Sequence, residues 1–168
     1  MKVIAISGSL RTGSSNLELL RTATALAPQG MHIELWEGAG ALPHFNPDLD
    51  EGEPPQRVAE FRELLRSADG VIICSPEYAH GVPGSLKNAL DWLVSDGTLA
   101  GKPVMIVTIA PTRGTFAHAQ LAETLRTMSW NVIEEASLML RKSEEARERL
   151  RASLEMLAIS SASPRRDR

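Results

Sequence analysis

Five stretches of the chain are rich in apolar and β-branched residues, and longer segments with helical spacing separate them. The strand-like stretches are Val3–Ile6, His32–Trp36, Val71–Cys74, Val104–Thr108 and a weaker one between Asn131 and Leu140. The first, third and fourth are continuous apolar runs, which is typical of strands buried on both faces. The pattern therefore predicts a parallel sheet with helices on both sides.

The intervening segments carry apolar residues three or four positions apart, as on one face of a helix. Five sets show this spacing: Leu17, Leu20, Ala23 and Ala27; Val58, Phe61, Leu64 or Leu65, and Ala68; Leu86, Leu90 and Leu93; Ala117, Leu121, Leu125 and Met128; Leu150, Leu154 and Leu157. Strands alternating with helices predict an α/β fold with a doubly wound, five-stranded parallel sheet of order 2-1-3-4-5. We expect one domain over residues 1–159 and a disordered tail over residues 160–168, which are poor in apolar side chains.

The turn after the first strand, residues 8–16 with the sequence GSLRTGSSN, has the features of a phosphate site. It leads into a helix, and free backbone N–H groups and a partial positive charge at a helix start favour an anion. Arg11 can form charge-assisted hydrogen bonds with phosphate oxygens. The other side chains that can donate hydrogen bonds are Ser9, Thr12, Ser14, Ser15 and Asn16.

Three other phosphate-binding motifs do not fit this part of the chain. A Walker motif requires a lysine where Ser14 stands, and the dinucleotide fingerprint requires a glycine where Leu10 stands. A cysteine-based phosphatase loop requires an arginine soon after Cys74, and residues 75–80 contain none. Hydroxyls with one arginine suit a phosphomonoester, and the alternative is a strand-to-helix turn without a ligand.

The loop after the third strand is expected beside this turn, because the winding of such a sheet reverses between strands one and three. This loop reads SPEYAHGVPG over residues 75–84. Pro76 and Pro83 restrict the backbone, while Gly81 and Gly84 allow it to approach a ligand closely. A phosphate turn beside a rigid loop predicts a mononucleotide with a planar head group.

Two blocks of the chain resemble the NAD(P)H-dependent FMN reductases of flavodoxin-like fold, a family that includes quinone, azo-dye and chromate reductases. The blocks are residues 8–16 and the segment 76–93, which begins with PEY and ends with PGSLKNALDWL. The resemblance implies FMN as cofactor, with its phosphate in the first block and its isoalloxazine ring on the second, and NAD(P)H as co-substrate. The cofactor-binding residues would then be Ser9, Arg11, Ser14, Ser15, Asn16, Pro76, Glu77, Tyr78, Ala79, His80 and Gly114.

The chain departs from the family pattern at two places near the expected ring. Ala79-His80-Gly81 stands where family members often have Asn-Tyr-Ser, and Arg113 lies in a turn that is usually rich in glycine. His80 could contact flavin or substrate, or it could be merely exposed. Arg113 could bind the dinucleotide phosphate of NADPH, or it could be solvated. Both pairs of alternatives stay open.

Together these features predict an FMN-dependent oxidoreductase that passes electrons from NAD(P)H to a small acceptor: a quinone, an azo compound, a metal oxyanion or free flavin. The chemistry would belong to FMN, so no catalytic side chain is expected. The alternative is a flavodoxin-type FMN electron carrier without nicotinamide oxidation. Small residues in the ring loops leave one face of the ring open, which favours the reductase. A phospholigand-binding regulator would leave the loop over residues 76–78 unexplained.

Composition limits the partners and the location. A net charge of −3 gives no reason to bind nucleic acid or an anionic membrane, and no apolar run approaches the roughly 20 residues that span a bilayer. Cys74 is the single cysteine, which favours the cytoplasm and a structural role for its thiol. The scattered histidines predict no metal site. Ala89, Trp92 and Val94 add apolar surface to the helix over residues 83–94, which predicts a homodimer or homotetramer with this helix at the contact.

Overall fold

A parallel β-sheet forms the centre of the computed structural model, which describes residues 1–111, 113–141 and 145–162. Its strands are β1 (Lys2–Ser7), β2 (His32–Trp36), β3 (Gly70–Ser75), β4 (Pro103–Ile109), β5 (Asn131–Val132) and β6 (Leu138–Leu140). Neighbouring strands follow the order β2-β1-β3-β4-β5, and β6 also pairs with β4. The predicted order 2-1-3-4-5 is therefore confirmed.

The fifth position of the sheet holds two short strands rather than one. β5 pairs with the start of β4 and β6 with its end, and a 3₁₀ turn at Glu134–Ala136 separates them. Ser137 bridges the break, because its hydroxyl accepts a hydrogen bond from Ile106 N (3.0 Å) and donates one to Ile133 O (2.9 Å). The weak strand signal in this region corresponds to an interrupted strand.

Helices cover both faces of the sheet. They are α1 (Ser15–Leu26), α2 (Pro47–Asp50), α3 (Gln56–Arg66), α4 (Gly84–Asp91), α5 (Thr115–Thr127) and α6 (Glu145–Ala162). Successive strand residues such as Ala5 and Ile6 belong to two different apolar clusters, as expected of a sheet buried on both faces. One cluster includes residues of α1 and α6, and the other includes residues of α3, α4 and α5.

The last helix continues beyond the predicted domain boundary. It runs to Ala162, so residues 160–162 of the predicted disordered tail are helical. The Ser161 hydroxyl donates a hydrogen bond to Leu157 O (2.8 Å), within the last turn of this helix. The rest of that predicted tail, residues 163–168, lies outside the described residues.

The segment after β2 covers surface on α4 that the sequence pattern assigned to a second subunit. Trp92 is completely buried, and its Nε1 donates a hydrogen bond to Pro43 O (2.9 Å). Asn88 Nδ2 donates to the same carbonyl oxygen (2.9 Å). Ala89 is also buried, whereas Val94 is 62% exposed. The expectation that Ala89 and Trp92 leave the helix surface apolar was therefore wrong. Both residues are buried within the same chain, and a non-periodic segment packs against Trp92.

A buried ion pair fixes the far end of this segment. Arg62 of α3 lies 2.7 Å from Asp50 Oδ1, and the two side chains are only 9% and 10% exposed. Arg62 Nε also donates to Trp92 O (2.8 Å), and the Ser95 hydroxyl donates to Asp50 Oδ2 (2.6 Å). Burial acts to raise the pKa of Asp50, but the hydrogen bonds from Ser95 and Arg62 and the charge of Arg62 outweigh burial and lower it.

We expect Asp50→Ala to lower the free energy of unfolding by about 2–3 kcal/mol near neutral pH, because Arg62 would keep a buried charge without its carboxylate partner. The folded-state pKa of Asp50 lies below its unfolded value of 3.8. The stabilisation is therefore present above that value and is lost as the pH falls through the folded-state pKa.

Urea denaturation at neutral pH and again at about pH 3 tests both parts of this prediction. Asp48→Ala is the matched control, because Asp48 is an exposed aspartate on the same short helix. Equal losses in the two variants would contradict the prediction, as would a deficit in the Asp50 variant that is undiminished at the acidic pH.

Candidate functional site

The turn after β1 and the loop after β3 lie side by side at the carboxyl edge of the sheet. Ser7 is the register partner of Cys74, and Gly8 N donates a hydrogen bond to Cys74 O (2.8 Å). A Cβ at Gly8 would lie 2.9 Å from Leu86 Cδ2 and 3.2 Å from Cys74 O, so a larger residue would require the Leu86 side chain and the adjoining backbone to shift. The predicted adjacency of the two loops is confirmed.

The turn over residues 9–15 presents hydrogen-bond donors that have no partner in the protein. Within this fully described turn, four backbone N–H groups lack an acceptor: those of Leu10, Thr12, Gly13 and Ser15. Gly13 has a φ of +68°, which permits the tight reversal before α1. The Arg11 side chain is exposed beside these groups. Free N–H groups at a helix start with an adjacent guanidinium are donors that can bind a phosphate.

Two of the predicted phosphate ligands also have structural partners. Ser14 caps α1, because its Oγ accepts hydrogen bonds from Asn16 N (3.1 Å) and Leu17 N (3.5 Å). Asn16 is buried, and its Oδ1 accepts a hydrogen bond from the Cys74 thiol (3.2 Å). Ser14 thus keeps its hydroxyl hydrogen for a ligand, and Asn16 keeps its amide N–H₂. Burial raises the pKa of Cys74, which fits its predicted structural role.

The loop after β3 contains a tight turn over residues 78–81. Tyr78 and Gly81 exchange two backbone hydrogen bonds of 2.9 Å each. Between them, Ala79 and His80 have positive φ values of 48° and 61°. Glycine or asparagine usually fills such positions, because a Cβ disfavours left-handed backbone. Two strained residues in succession indicate that contacts from outside the turn hold its conformation.

Glu77 makes one of these contacts. Its Oε2 accepts a hydrogen bond from Ala117 N (2.9 Å) in the first turn of α5. Gly114, the residue before α5, has no side chain that could cap this helix. The Glu77 carboxylate takes the place of the cap and also interacts favourably with the helix dipole. The sequence pattern placed Glu77 in the ring loop but gave no partner for its carboxylate; the signal that could have found one is the missing cap at Gly114.

Two further contacts join the same loop to α5. Gln120 Oε1 accepts a hydrogen bond from Val82 N (2.9 Å). The His80 and Phe116 rings stack with their centroids 4.2 Å apart and an angle of 22° between their planes. Sequence reasoning did not identify Gln120 or Phe116 as part of the site. Both lie on the exposed side of a predicted helix, where the apolar pattern carries no signal.

The turn after β4 reaches the same edge of the sheet. Arg113 and Gly114 both have positive φ values, 74° and 70°. The Thr108 hydroxyl donates to Arg113 O (3.3 Å) and lies 3.3 Å from His118 Nδ1 of α5. Burial is the main cause that lowers the pKa of His118, which keeps the ring neutral near pH 7. The Arg113 side chain is exposed.

The parts of the chain that the structure describes contain no group of three or more histidine, cysteine, aspartate or glutamate residues arranged to hold a metal ion. In the same parts, no helix is long and apolar enough to span a membrane.

Lys87 pairs with Asp91 (2.5 Å), and Asn88 binds the segment after β2, so these residues have the structural hydrogen bonds predicted for them.

A phosphate turn and a rigid second loop, adjacent at the point where the winding reverses, define a mononucleotide-binding protein of the flavodoxin-like class. The model of the NADPH-dependent FMN reductase family matches residues 1–145. The chain belongs to this family.

Similar proteins agree with this assignment. A quinone reductase of Escherichia coli is 42% identical over 111 residues, which span 64% of this chain but only 59% of that protein. An NAD(P)H-dependent FMN reductase of Pseudomonas aeruginosa is 37% identical over 150 residues, 87% of this chain and 80% of that protein. The flavoenzyme FerB, an NAD(P)H:acceptor oxidoreductase of Paracoccus denitrificans, shares the fold with a TM-score of 0.82 at 23% identity, covering 94% of this chain and 97% of its own.

Proposed function

We propose that this protein is a cytoplasmic, FMN-dependent oxidoreductase that transfers a hydride from NAD(P)H to FMN and passes electrons to a small acceptor. The observation that carries the proposal is the set of four free backbone N–H groups in the turn over residues 9–15, with Arg11 exposed beside them. These donors suit a terminal phosphomonoester at the start of α1. The adjacent loop after β3 then receives the ring of the same ligand.

The residues of the site fit FMN in both halves. When bound, FMN supplies the redox chemistry, taking a hydride from the nicotinamide and giving electrons to the acceptor. The protein's part is to bind and orient it. The phosphate ligands are Ser9, Arg11, Ser14, Ser15 and Asn16. The ring-binding residues are Pro76, Glu77, Tyr78, Ala79, His80 and Gly114.

The positions of the three tryptophans favour a reductase over an electron carrier. A flavodoxin-type carrier encloses its flavin ring between aromatic side chains. Here Trp92 and Trp130 are buried in the core, and Trp36 stacks on Phe61 with the centroids 4.0 Å apart. None of the three tryptophans is therefore available to cover a flavin. Ala79 is small and exposed in the loop after β3, and it would leave one ring face open to a nicotinamide.

A quinone is the acceptor that the relatives support best. The Escherichia coli relative is named a quinone reductase. A second relative, 34% identical over 110 residues, is a 2-hydroxy-1,4-benzoquinone reductase of Burkholderia. Azo compounds, metal oxyanions and free flavin are the other acceptors to compare. An acceptor and a nicotinamide that use the same open face in turn would give ping-pong kinetics.

The assembly we propose is a homodimer, or a homotetramer built from two dimers. Its contact includes Val94 and Leu49, which are 62% and 47% exposed. The Ser95–Asp50 hydrogen bond of 2.6 Å brings the segments that carry these two residues together. Adjacent exposed apolar side chains gain free energy when a second surface buries them.

Removing the Arg11 side chain should weaken FMN binding. We expect Arg11→Ala to raise the FMN dissociation constant about ten- to a hundredfold, the equivalent of a charge-assisted hydrogen bond of roughly 1.5–3 kcal/mol. Fluorescence titration of the apoprotein measures this change. Arg57→Ala, at an exposed arginine on α3, should bind FMN as the wild type does. Unchanged affinity in the Arg11 variant would place the phosphate elsewhere.

Hydride transfer separates the reductase from the carrier. We expect NADPH or NADH to bleach the visible absorption of the FMN-loaded protein when they are mixed without oxygen, and added quinone to restore it. The rates with the two nicotinamides also give the coenzyme preference. If neither nicotinamide bleaches the flavin while dithionite does, the protein is an electron carrier.

The oligomeric state can be measured by light scattering on the FMN-loaded protein. We expect a particle of at least twice the chain mass at micromolar concentration, and a shift toward the monomer in Val94→Asp, because an unpaired charge is costly to bury in a contact. Met156→Asp is the control, since Met156 is a partly exposed residue of α6 on the opposite face of the sheet. A monomeric wild type would refute the proposed assembly.

A further inference from the structure

We propose that Glu77 is a positioning residue: by capping α5 from the loop after β3, it holds the strained turn at Ala79–His80 in the conformation that receives the flavin ring. The proposal rests on the proposed function, because it concerns how this chain binds FMN. The inference applies to the ring-binding half of the site. The Glu77 side chain bonds to α5 and not to the phosphate turn.

The first argument is the strain in the turn. Ala79 and His80 both have left-handed backbone conformations, which residues with a Cβ disfavour. A turn of this sequence would populate other conformations if nothing held it. The backbone hydrogen bonds between Tyr78 and Gly81 lie within the turn and form only once it is already folded. The constraint must therefore come from a neighbouring element, and the element in contact is α5.

The second argument is the nature of the Glu77 contact. Its carboxylate accepts a hydrogen bond of 2.9 Å from Ala117 N, a group at the start of a helix whose preceding residue is glycine. This contact joins a charged acceptor to the positive end of a helix dipole. Gln120 adds a neutral hydrogen bond to Val82 N at the end of the same loop. Of these two contacts, only the one from Glu77 involves a charged group, and Glu77 comes directly before the strained turn in the chain.

The third argument is what this arrangement leaves for a ligand. In the described loop over residues 76–82, the N–H groups of Tyr78, Gly81 and Val82 are bonded within the protein. Those of Glu77, Ala79 and His80 have no acceptor there. Three free N–H groups in a rigid loop can donate to the carbonyl oxygens and nitrogens of a flavin ring. Their directions depend on the backbone conformation that Glu77 and α5 maintain.

Loss of this constraint should reduce the population of the binding-competent loop, and the apparent dissociation constant rises in proportion. We expect Glu77→Ala to weaken FMN binding by about tenfold, and Gln120→Ala by about threefold, the smaller effect reflecting a neutral hydrogen bond. Glu77→Gln should recover much of the affinity, because an amide oxygen can still accept the hydrogen bond from Ala117 N.

Riboflavin provides a readout that a phosphate-binding role would not give, and recovery in Glu77→Gln with unchanged circular dichroism separates the inference from a general structural defect. Riboflavin has the same ring as FMN but no phosphate. We expect Glu77→Ala to weaken the binding of riboflavin and FMN by the same factor, since the loop contacts only the ring. Arg11→Ala should weaken the binding of FMN alone. Glu123→Ala is the matched control, because Glu123 is an exposed glutamate on α5 that pairs only loosely with Arg126 (4.0 Å).

Fluorescence titration of each apoprotein with FMN and with riboflavin decides the matter, with circular dichroism to establish folding. Equal affinities in wild type and a folded Glu77→Ala variant would overturn the inference, and so would a loss confined to FMN. If Glu77→Ala does not fold, the Gln120→Ala titrations decide by the same criteria. A wild type that binds neither flavin would instead refute the proposed function.

Discussion

The site depends on the close approach of β1 and β3 at their carboxyl ends. The hydrogen bond from Gly8 N to Cys74 O, 2.8 Å long, joins the two loops where they begin, and a Cβ at position 8 would lie only 3.2 Å from the same carbonyl oxygen. Behind this contact, the Cys74 thiol donates to the buried Asn16 at the start of α1. The phosphate turn and the ring loop are therefore fixed relative to each other by the core of the protein. The mononucleotide that we propose would bind to both, and the sheet sets their separation.

The parts of the fold that could be predicted are those with a local pattern or a general topological rule. Continuous apolar runs identified β1, β3 and β4, and the reversal of winding then placed the two loops together. The covering of α4 by the segment after β2 could not be predicted in this way. It depends on hydrogen bonds from the Trp92 and Asn88 side chains to the Pro43 carbonyl oxygen. The donors lie more than forty positions after Pro43 in the chain, and no periodicity in the sequence indicates such a contact. The sequence pattern indicated that α4 has more apolar surface than the sheet can cover. A segment of the same chain covers part of the remainder.

The same limit applies to the site. The donors in the phosphate turn could be read from adjacent residues, because a helix start makes its own anion site. The role of α5 could not, since its cap comes from Glu77, forty positions before Ala117. Rules for helix caps consider the residues next to the helix, and here that residue is glycine. The sequence gives one indication of such a cap: a predicted helix that is long but has no capping side chain next to its start.

Backbone strain in this protein is concentrated where the ring is expected. Of the four described non-glycine residues with positive φ, Ala79 and His80 lie in the loop after β3 and Arg113 in the turn after β4. The first loop is held from α5 through Glu77. The second is held by Thr108 of β4, whose hydroxyl donates to Arg113 O and also contacts His118 of α5. Conformations that the chain disfavours persist only where neighbouring structure enforces them. A loop held in this way presents its free N–H groups without rearrangement. In the function we propose, such a loop would hold the flavin ring along one edge and leave one face to a nicotinamide and to an acceptor.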